Sequence, residues 1–395
     1  MKYLLIGARM KQLIAKFTHI FGNTENTKVY YSPGRINIIG EHIDYNGGYV
    51  FPAAISMGTY GVVSARKDHQ IRLYSHNYKA QGIIIVELSS LAYQDSHGWA
   101  NYAKGIINLL KQRGYKIPFG FDLYVEGNLP IASGLSSSAS LEVLVAYIAN
   151  DIYQLNISRV DLALLSQEVE NDYMGMHCGI MDQLIIACGM KDKALLMNTV
   201  TLEMEASNAT FEGYQWVIMN TNYQRKTTDS KYNERREECE QALSMLQSNY
   251  QIQYLCELSP NDLPGVRKLI HNDILYLRAK HAITEQARTK ESKLALSDND
   301  VIKFAKLLNQ SHESLKNDFD VTGMHLDTLV ETALAHGAIG ARVTGAGFGG
   351  CAVALVENKN IERMKIKVKE IYLKKTGLNA EFYDVTFVDG ASEVK

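Results

Sequence analysis

The sequence is poor in proline and has no paired cysteines. Six prolines in 395 residues leave no Pro-rich linker, and no internal repeat or low-complexity tract interrupts the chain. The five cysteines, Cys178, Cys188, Cys239, Cys256 and Cys351, are scattered, odd in number and without C-x-x-C spacing. That argues against both a disulfide framework and a structural zinc. Reduced, mostly buried thiols in a cytoplasm are the simpler expectation. No apolar run approaches the roughly 18 residues of a membrane span. The apolar core of MKYLLIGARM is too short for a signal peptide, and no small-x-small site follows it. From Met10, MKQLIAKFTHIF reads by itself as an amphipathic helix, so Met10 stands beside Met1 as an expected native start. There is no basic tract, and the net charge is −2. Neither nucleic acid nor membrane is an expected partner. An acidic substrate would have to be held by local groups rather than by a global field. The low charge is compatible with a monomer or a weak homodimer.

What remains is an ordinary globular composition, 46% hydrophobic and 21% charged. At about 150 residues per domain the length predicts two domains. Lys11 to Phe21 has helical apolar spacing. Short β-prone runs follow at Tyr60 to Ala65, Ile71 to Tyr74, Gly82 to Leu88 and Phe121 to Glu126, with a helix at Trp99 to Lys111 between them. Leu141 to Tyr153 is apolar nearly all round, as in a buried helix. Asp161 to Asn171 predicts another helix; Leu195 to Met197 and Tyr214 to Asn220 predict strands. Long helical stretches then cover Asn233 to Gln247, Pro264 to Lys280, Asp298 to Asn317 and Leu326 to His336. A strand at Cys351 to Val356, a charged helix at Lys359 to Lys375 and a strand at Ala380 to Val388 close the chain. A strand-rich first half and a helix-rich second half that returns to strands predict an α+β protein with a boundary near residue 205, giving domains 11–205 and 206–395.

Four segments carry chemistry. GNLPIASGLSSSASLEV, Gly127 to Val143, lies between an expected strand and a buried helix. A flexible linker would be longer, repetitive and flanked by polar sequence. A phosphate cradle fits better: small residues admit an anion to backbone N–H groups, and a helix N-terminus adds donors and partial positive charge. Ser136, Ser137 and Ser138 add hydroxyls, one of which could ligate Mg²⁺. The loop has no Lys and matches neither G-x-x-x-x-G-K-[ST] nor G-x-G-x-x-G. A serine-capped core helix remains the plain alternative.

PGRINIIGEHIDYNGG, Pro33 to Gly48, contains Asn46-Gly47, a hairpin signal. Glu41, His42 and Asp44 stand before the turn, with Arg35 upstream. Carboxylates accept several hydroxyls at once, which suits a sugar; a metal or a merely solvated turn are the alternatives. In HCGIMDQLIIACG, His177 to Gly189, Asp182 sits among apolar residues. It is a cap, a paired ion or a functional acid. As a base toward an alcohol it would need a cation such as Arg35 to align the pair and keep it ionised. VTGAGFGGCAVALV, Val343 to Val356, packs four glycines into six residues before a strand, a tight turn or an interdomain hairpin.

Taken in this order, GRINIIGEHIDYNGG, LPIASGLSSSAS, CGIMDQL and TGAGFGGC resemble the motifs of the GHMP small-molecule kinases, and among them the galactokinase family. The four span Arg35 to Cys351. The resemblance implies a ribosomal-protein-S5-like N-terminal domain and a ferredoxin-like C-terminal domain with the active site between them. It implies ATP-dependent phosphorylation of the anomeric hydroxyl of α-D-galactose, the first committed step of the Leloir pathway. Asp182 would be the base and Arg35 the transition-state stabiliser. Glu41, His42, Ile43, Asp44, Gly179 and Tyr232 would bind galactose. Ala132, Ser133, Gly134, Leu135, Ser136, Ser137 and Ser138 would wrap the ATP phosphates, and Ser75 would lie near the nucleotide. Ser138 and Glu170 would hold Mg²⁺, with waters completing the octahedron. Ala132 and Ala346 stand where many members have glycine, which limits φ > 0 at both positions. An N-acetylgalactosamine kinase and a galactose-binding regulator without turnover are the rival readings. Known regulators of that kind have lost a small dipeptide from the phosphate loop, whereas the run Ser136 to Ser140 is complete here.

Overall fold

The computed structural model describes residues 2–22, 26–130, 133–223 and 228–395; Ala132 lies outside them. The first element is the helix Lys2–Phe21, which begins well before the expected Lys11 and runs through Met10. Leu13, Phe17 and Phe21, one turn apart, bury one stripe on Val29, Val62 and Tyr124. Beneath this helix lies a six-stranded sheet in the order Ser392–Glu393, Lys28–Asn37, Pro52–Ala65, Phe121–Gly127, Gln70–Ser75, Ile84–Glu87. All its pairs are antiparallel except Gln70–Ser75 with Phe121–Gly127. The alternation along Phe121–Gly127 sends Phe121, Leu123 and Val125 to the opposite face, against the helices Ala100–Gln112, Ser137–Ile152 and Arg159–Glu168.

The second large sheet is fully antiparallel, in the order Ala338–Thr344, Cys351–Glu357, Tyr214–Asn220, Glu381–Asp384. In chain order this is 2-3-1-4, the ferredoxin-like arrangement, with the helices Gly323–Ala335 and Ile361–Thr376 among its crossovers. A small third sheet joins Tyr49–Val50, Lys193–Asn198 and Met204–Asn208. The architecture is α+β, with the six-stranded sheet built mainly from the first half of the chain and the ferredoxin-like sheet from the second.

Four further expectations are corrected. The single helix over Pro264 to Lys280 is two, Leu263–Leu269 and Asp273–Ser297. The side chain of Asn272 caps the second by accepting from the N–H groups of Ile274 and Leu275. The last long strand shortens to Glu381–Asp384. Asn46-Gly47 does not form a two-residue hairpin. Asp44–Asn46 is one 3₁₀ turn with Gly47 at φ +69°, while Asn37 pairs with Pro52. Residues 38–51 therefore leave the sheet as a wide loop. Ile38, Ile39, Ile43 and Phe51 are all buried, so the loop is anchored in the core; backbone hydrogen bonds of Phe51 with Ile38 and Ile39 close its base, and Tyr49–Val50 pairs with Lys193–Asn198. The predicted helix Asp161 to Asn171 ends as α-helix at Glu168 and continues as a π-helical turn, Val169–Tyr173, which re-aims Glu170.

Candidate active site

A cavity of about 430 Å³ brings the four sequence segments together. Its phosphate-loop wall is built from backbone. Gly134 sits at φ +74° and Ser136 at φ +63°, left-handed positions that turn the chain sharply into the helix Ser137–Ile152. The Gly-rich turn of residues 345–350 backs directly onto this loop. A Cβ at Gly345 would lie 2.6 Å from the Gly134 carbonyl oxygen, and one at Gly350 2.7 Å from that of Ser133. The turn is a hairpin between Ala338–Thr344 and Cys351–Glu357, and it also braces the loop. Ser136 is the N-cap residue but makes no capping bond. Its hydroxyl donates instead to Asp182 Oδ2.

Asp182 lies in the first turn of the helix Met181–Cys188, one residue inside its start, and is not its cap. Arg35, on the strand Lys28–Asn37, grips it with two parallel bonds, Nε to Oδ1 and Nη2 to Oδ2, both 2.7 Å. The remaining guanidinium nitrogen, Nη1, donates to the Gly134 carbonyl at 2.5 Å. A fork of this kind fixes both position and charge. The Arg35 side chain is 5% exposed and that of Asp182 27%, so the carboxylate faces the cavity and the cation stands behind it.

Beside this pair, Ser138 Oγ donates to Glu170 Oε1 at 2.8 Å. Glu170 Oε2 accepts from the Gln183 amide and, at 3.5 Å, from the Cys178 thiol. Burial, and then the charge of Asp182, push the Glu170 carboxyl above its ordinary range. Glu142, wholly buried next to it, is pushed up further by burial and by Glu170, and its Oε1 has no partner among the described residues. Among the described residues no group of three or more His, Cys, Asp or Glu is set for a metal. One carboxylate with one hydroxyl is nevertheless a donor set of the kind Mg²⁺ takes when phosphates and waters supply the rest.

The sugar-loop wall is the loop of residues 38–51 closed by Tyr232 and Gly179. Glu41 is fixed by Arg342 Nη2 at 2.8 Å, the Gly345 N–H at 3.0 Å and the Asn37 amide at 3.2 Å. His42 accepts from Tyr45 Oη through Nδ1 at 2.8 Å and donates from Nε2 to the Ala346 carbonyl at 3.2 Å. Burial, then the neighbouring His281, push its pKa down to about 3, so it is a neutral wall against Phe319 and Tyr232. Asp44 is pushed up to about 7 by burial, then by Asp182 and Glu41. A Cβ at Gly179 would fall on Asp44 Oδ2, so only glycine leaves that carboxyl in place.

Arg35, Glu41, His42, Asp44, Ser133, Gly134, Ser136, Ser137, Ser138, Glu170, Gly179, Asp182 and Tyr232 all line the cavity. Ile43 and Leu135 do not. Both side chains are buried in the core. They act through carbonyls: Ile43 accepts from the N–H groups of Asn46 and Gly48, Leu135 from that of Arg35. Ser75 lines an adjoining hollow of about 190 Å³ with Asn77, Trp99 and Tyr102, which meets the main cavity at Ser137 and Ser138. A larger open hollow, about 900 Å³ between the helices Asp273–Ser297 and Val301–Asn317, holds none of these residues. Sequence reasoning missed the supports of the sugar loop: Arg342, Gln286, Glu285 and His281. Arg342 had a signal, a lone charge in the apolar strand AIGARVT; the others, inside a long mixed helix, had none.

Comparison with known proteins points to one family. The galactokinase galactose-binding signature matches residues 15–65, the GHMP kinases N terminal domain residues 101–190 and the GHMP kinases C terminal domain residues 292–372. The galactokinase of Staphylococcus carnosus is 47% identical over 382 residues, covering 96% of this chain and 98% of its own. The crystal structure of Lactococcus lactis galactokinase complexed with galactose superposes with a TM-score of 0.95 at 45% identity, covering 97% of this chain and 99% of that one. A mevalonate kinase at 19% identity, with a TM-score of 0.66, shares the fold. No described helix is long and apolar enough to cross a membrane. With that identity over nearly its whole length, the chain belongs to the galactokinase family of the GHMP kinases.

Proposed function

We propose that this cavity transfers the γ-phosphoryl group of ATP to the anomeric hydroxyl of α-D-galactose, giving galactose 1-phosphate and ADP. The observation that carries the assignment of roles is the Arg35–Asp182 fork, set between the phosphate loop and the sugar loop. Phosphoryl transfer chiefly needs in-line positioning and neutralised charge. Asp182 takes the proton of the attacking hydroxyl. Arg35 aligns the Asp182 carboxylate through two parallel hydrogen bonds, and its charge lies close to the phosphate loop. Glu41, Asp44 and the His42–Tyr232 wall hold the sugar from the other side. The uncapped start of Ser137–Ile152 and the loop N–H groups receive the phosphates. The base lies in the hollow with Ser75, Trp99 and Tyr102. Ser138 and Glu170 would hold Mg²⁺, which when bound would offset the negative charge of the phosphates.

The test is ADP release from Mg·ATP with galactose, glucose, mannose, N-acetylgalactosamine, mevalonate and homoserine. Turnover confined to galactose and its close 2-substituted relatives is expected. Galactose binding by calorimetry without turnover would replace this reading with a sugar-binding regulator. Neither binding nor turnover would reject the assignment altogether.

A further inference from the structure

The loop that carries Glu41, His42 and Asp44 is held from beneath by a helix more than two hundred residues away in sequence. On Asp273–Ser297, His281 and Glu285 stand one turn apart, so both side chains address the same spot. Glu285 Oε1 accepts the N–H groups of Gly40 at 3.0 Å and of Glu41 at 3.3 Å. His281 Nε2 donates to the Glu41 carbonyl at 3.0 Å. One helical turn thus clamps the amide and the carbonyl of the same residue. Neither clamp residue is exposed, and neither lines the cavity. The clamp is itself supported: Ser311 Oγ donates to Glu285 Oε1 at 2.6 Å, and Arg288 Nε to Oε2 at 2.8 Å. Burial holds His281 neutral, its pKa down to about 4, and its Nδ1 faces the Ser314 hydroxyl at 3.0 Å. Further along the helix, Gln286 Oε1 accepts the N–H of Tyr49 at the far side of the loop.

We propose that Glu285 and His281 are positioning residues for sugar recognition: by clamping the Glu41 peptide they set the geometry of the hydroxyl-binding carboxylates, and with it the affinity for galactose. The proposal rests on the galactose kinase reading. The carboxylate of Asp44 and the Glu41 side chain reach the cavity from one short 3₁₀ segment and the turn before it, so a shift of the Glu41 peptide displaces both. Among the described residues the phosphate loop makes no hydrogen bond to either clamp residue, so it should not respond.

The experiment compares Glu285→Met, which keeps bulk but removes the acceptor, with Glu285→Gln, which keeps an acceptor oxygen. For the Met variant, which leaves the N–H groups of Gly40 and Glu41 both without their acceptor, the KM for galactose should rise at least about tenfold, with the KM for ATP within about twofold of wild type. The Gln variant should recover most of that loss. Amide hydrogen exchange without substrate should show Gly40 and Glu41 losing protection in the Met variant, while residues 133–140 keep theirs. Equal rises in both KM values, or unchanged exchange at Gly40 and Glu41, would overturn the proposal. If Glu285→Met does not fold, His281→Leu removes the donor to the Glu41 carbonyl and reads the same split. A wild-type enzyme without galactose turnover would overturn the functional reading, and the exchange measurement would still decide whether the clamp exists.

Discussion

At the phosphate end of the cavity, residues 133–138 take their shape first from neighbours in sequence, a left-handed glycine, a left-handed serine and the helix start they lead into, with the turn of residues 345–350 packed behind them. At the sugar end, residues 38–51 depend on partners from residues 281 to 346, with Arg342, Glu285, His281 and the Ala346 carbonyl all reaching across from the second half of the chain. Backbone N–H groups can receive phosphate wherever the chain turns correctly. A sugar is distinguished by where its hydroxyls point, and that requires side chains fixed from several directions. The difference teaches that the two walls should fail differently when altered.

The largest effect is expected where the walls meet. Asp182→Ala should lower kcat by at least about 10²-fold, the lower bound for a general base, while galactose binding measured by calorimetry stays close to wild type. Near-normal turnover would remove Asp182 from that role. Arg35→Lys keeps the charge but loses the fork, and about a 10²-fold fall in kcat is expected, as for removal of one preorganised donor. Stopped-flow or steady-state assays at saturating substrates separate this from a binding defect.

The next test breaks the sugar wall alone. Gly179→Ala places a methyl on the Asp44 carboxyl. Overpacking of that kind costs roughly 1–3 kcal/mol, about ten- to a hundredfold in galactose Kd. The KM for ATP should change little; an equal loss of both would erase the contrast between the walls.

The pH dependence sharpens the same contrast. Asp44, raised to about 7, is the sugar-side group that ionises near neutrality. Galactose affinity should therefore strengthen as pH rises through about 7, and Asp44→Asn should abolish that dependence. The stability effect has the opposite sign. Below about 7 the folded protein holds a proton that the unfolded chain releases at its ordinary Asp pKa of about 4. Stability from this group is lost as pH climbs through that window. The thermal midpoint of Asp44→Asn should thus gain on wild type between pH 5 and pH 8, each within about one unit of that window. A constant difference would show that Asp44 titrates normally.

The smallest effect belongs to the phosphate wall. A Cβ at Gly134 has room, its nearest atom being the Thr344 carbonyl oxygen at 3.4 Å, so only the positive φ opposes it. Gly134→Ala should cost about 1–2 kcal/mol, the left-handed penalty of an L-residue. It should appear as a severalfold rise in the KM for ATP, with galactose binding unchanged.

The same contrast explains what the sequence disclosed. Motifs whose geometry is local could be read: the phosphate loop, the charged turn at residues 41–44, Asp182 in apolar company and the Gly-rich hairpin. So could the strands and helices with clean periodicity, such as Phe121–Gly127. Asn46-Gly47 misled because Ile38, Ile39 and Ile43 before it and Val50 and Phe51 after it are buried in the core, and Tyr49–Val50 pairs with Lys193–Asn198 instead of closing a two-residue hairpin. The break before Asp273 was hidden because Leu263–Leu269 and the next helix share one apolar rhythm across Asn272. The resemblance makes Glu170 an expected Mg²⁺ ligand, but the π turn that aims its side chain leaves no mark in the pattern VEND. His281 and Glu285 sit in HAITE, which reads as any helix surface until the opposing loop is in view.

The edge of the first sheet has a consequence for how the protein comes to be made. The strand that carries Arg35 pairs on its outer side with Ser392–Glu393, Tyr30 against Glu393 and Tyr31 against Ser392. Almost the entire polypeptide lies between those partners. Contacts so distant along the chain close late, because their loop entropy must be met before they contribute. While the chain emerges from the ribosome, the edge of the arginine-bearing strand stays open, an unpaired row of backbone groups that a chaperone or another nascent copy could meet first.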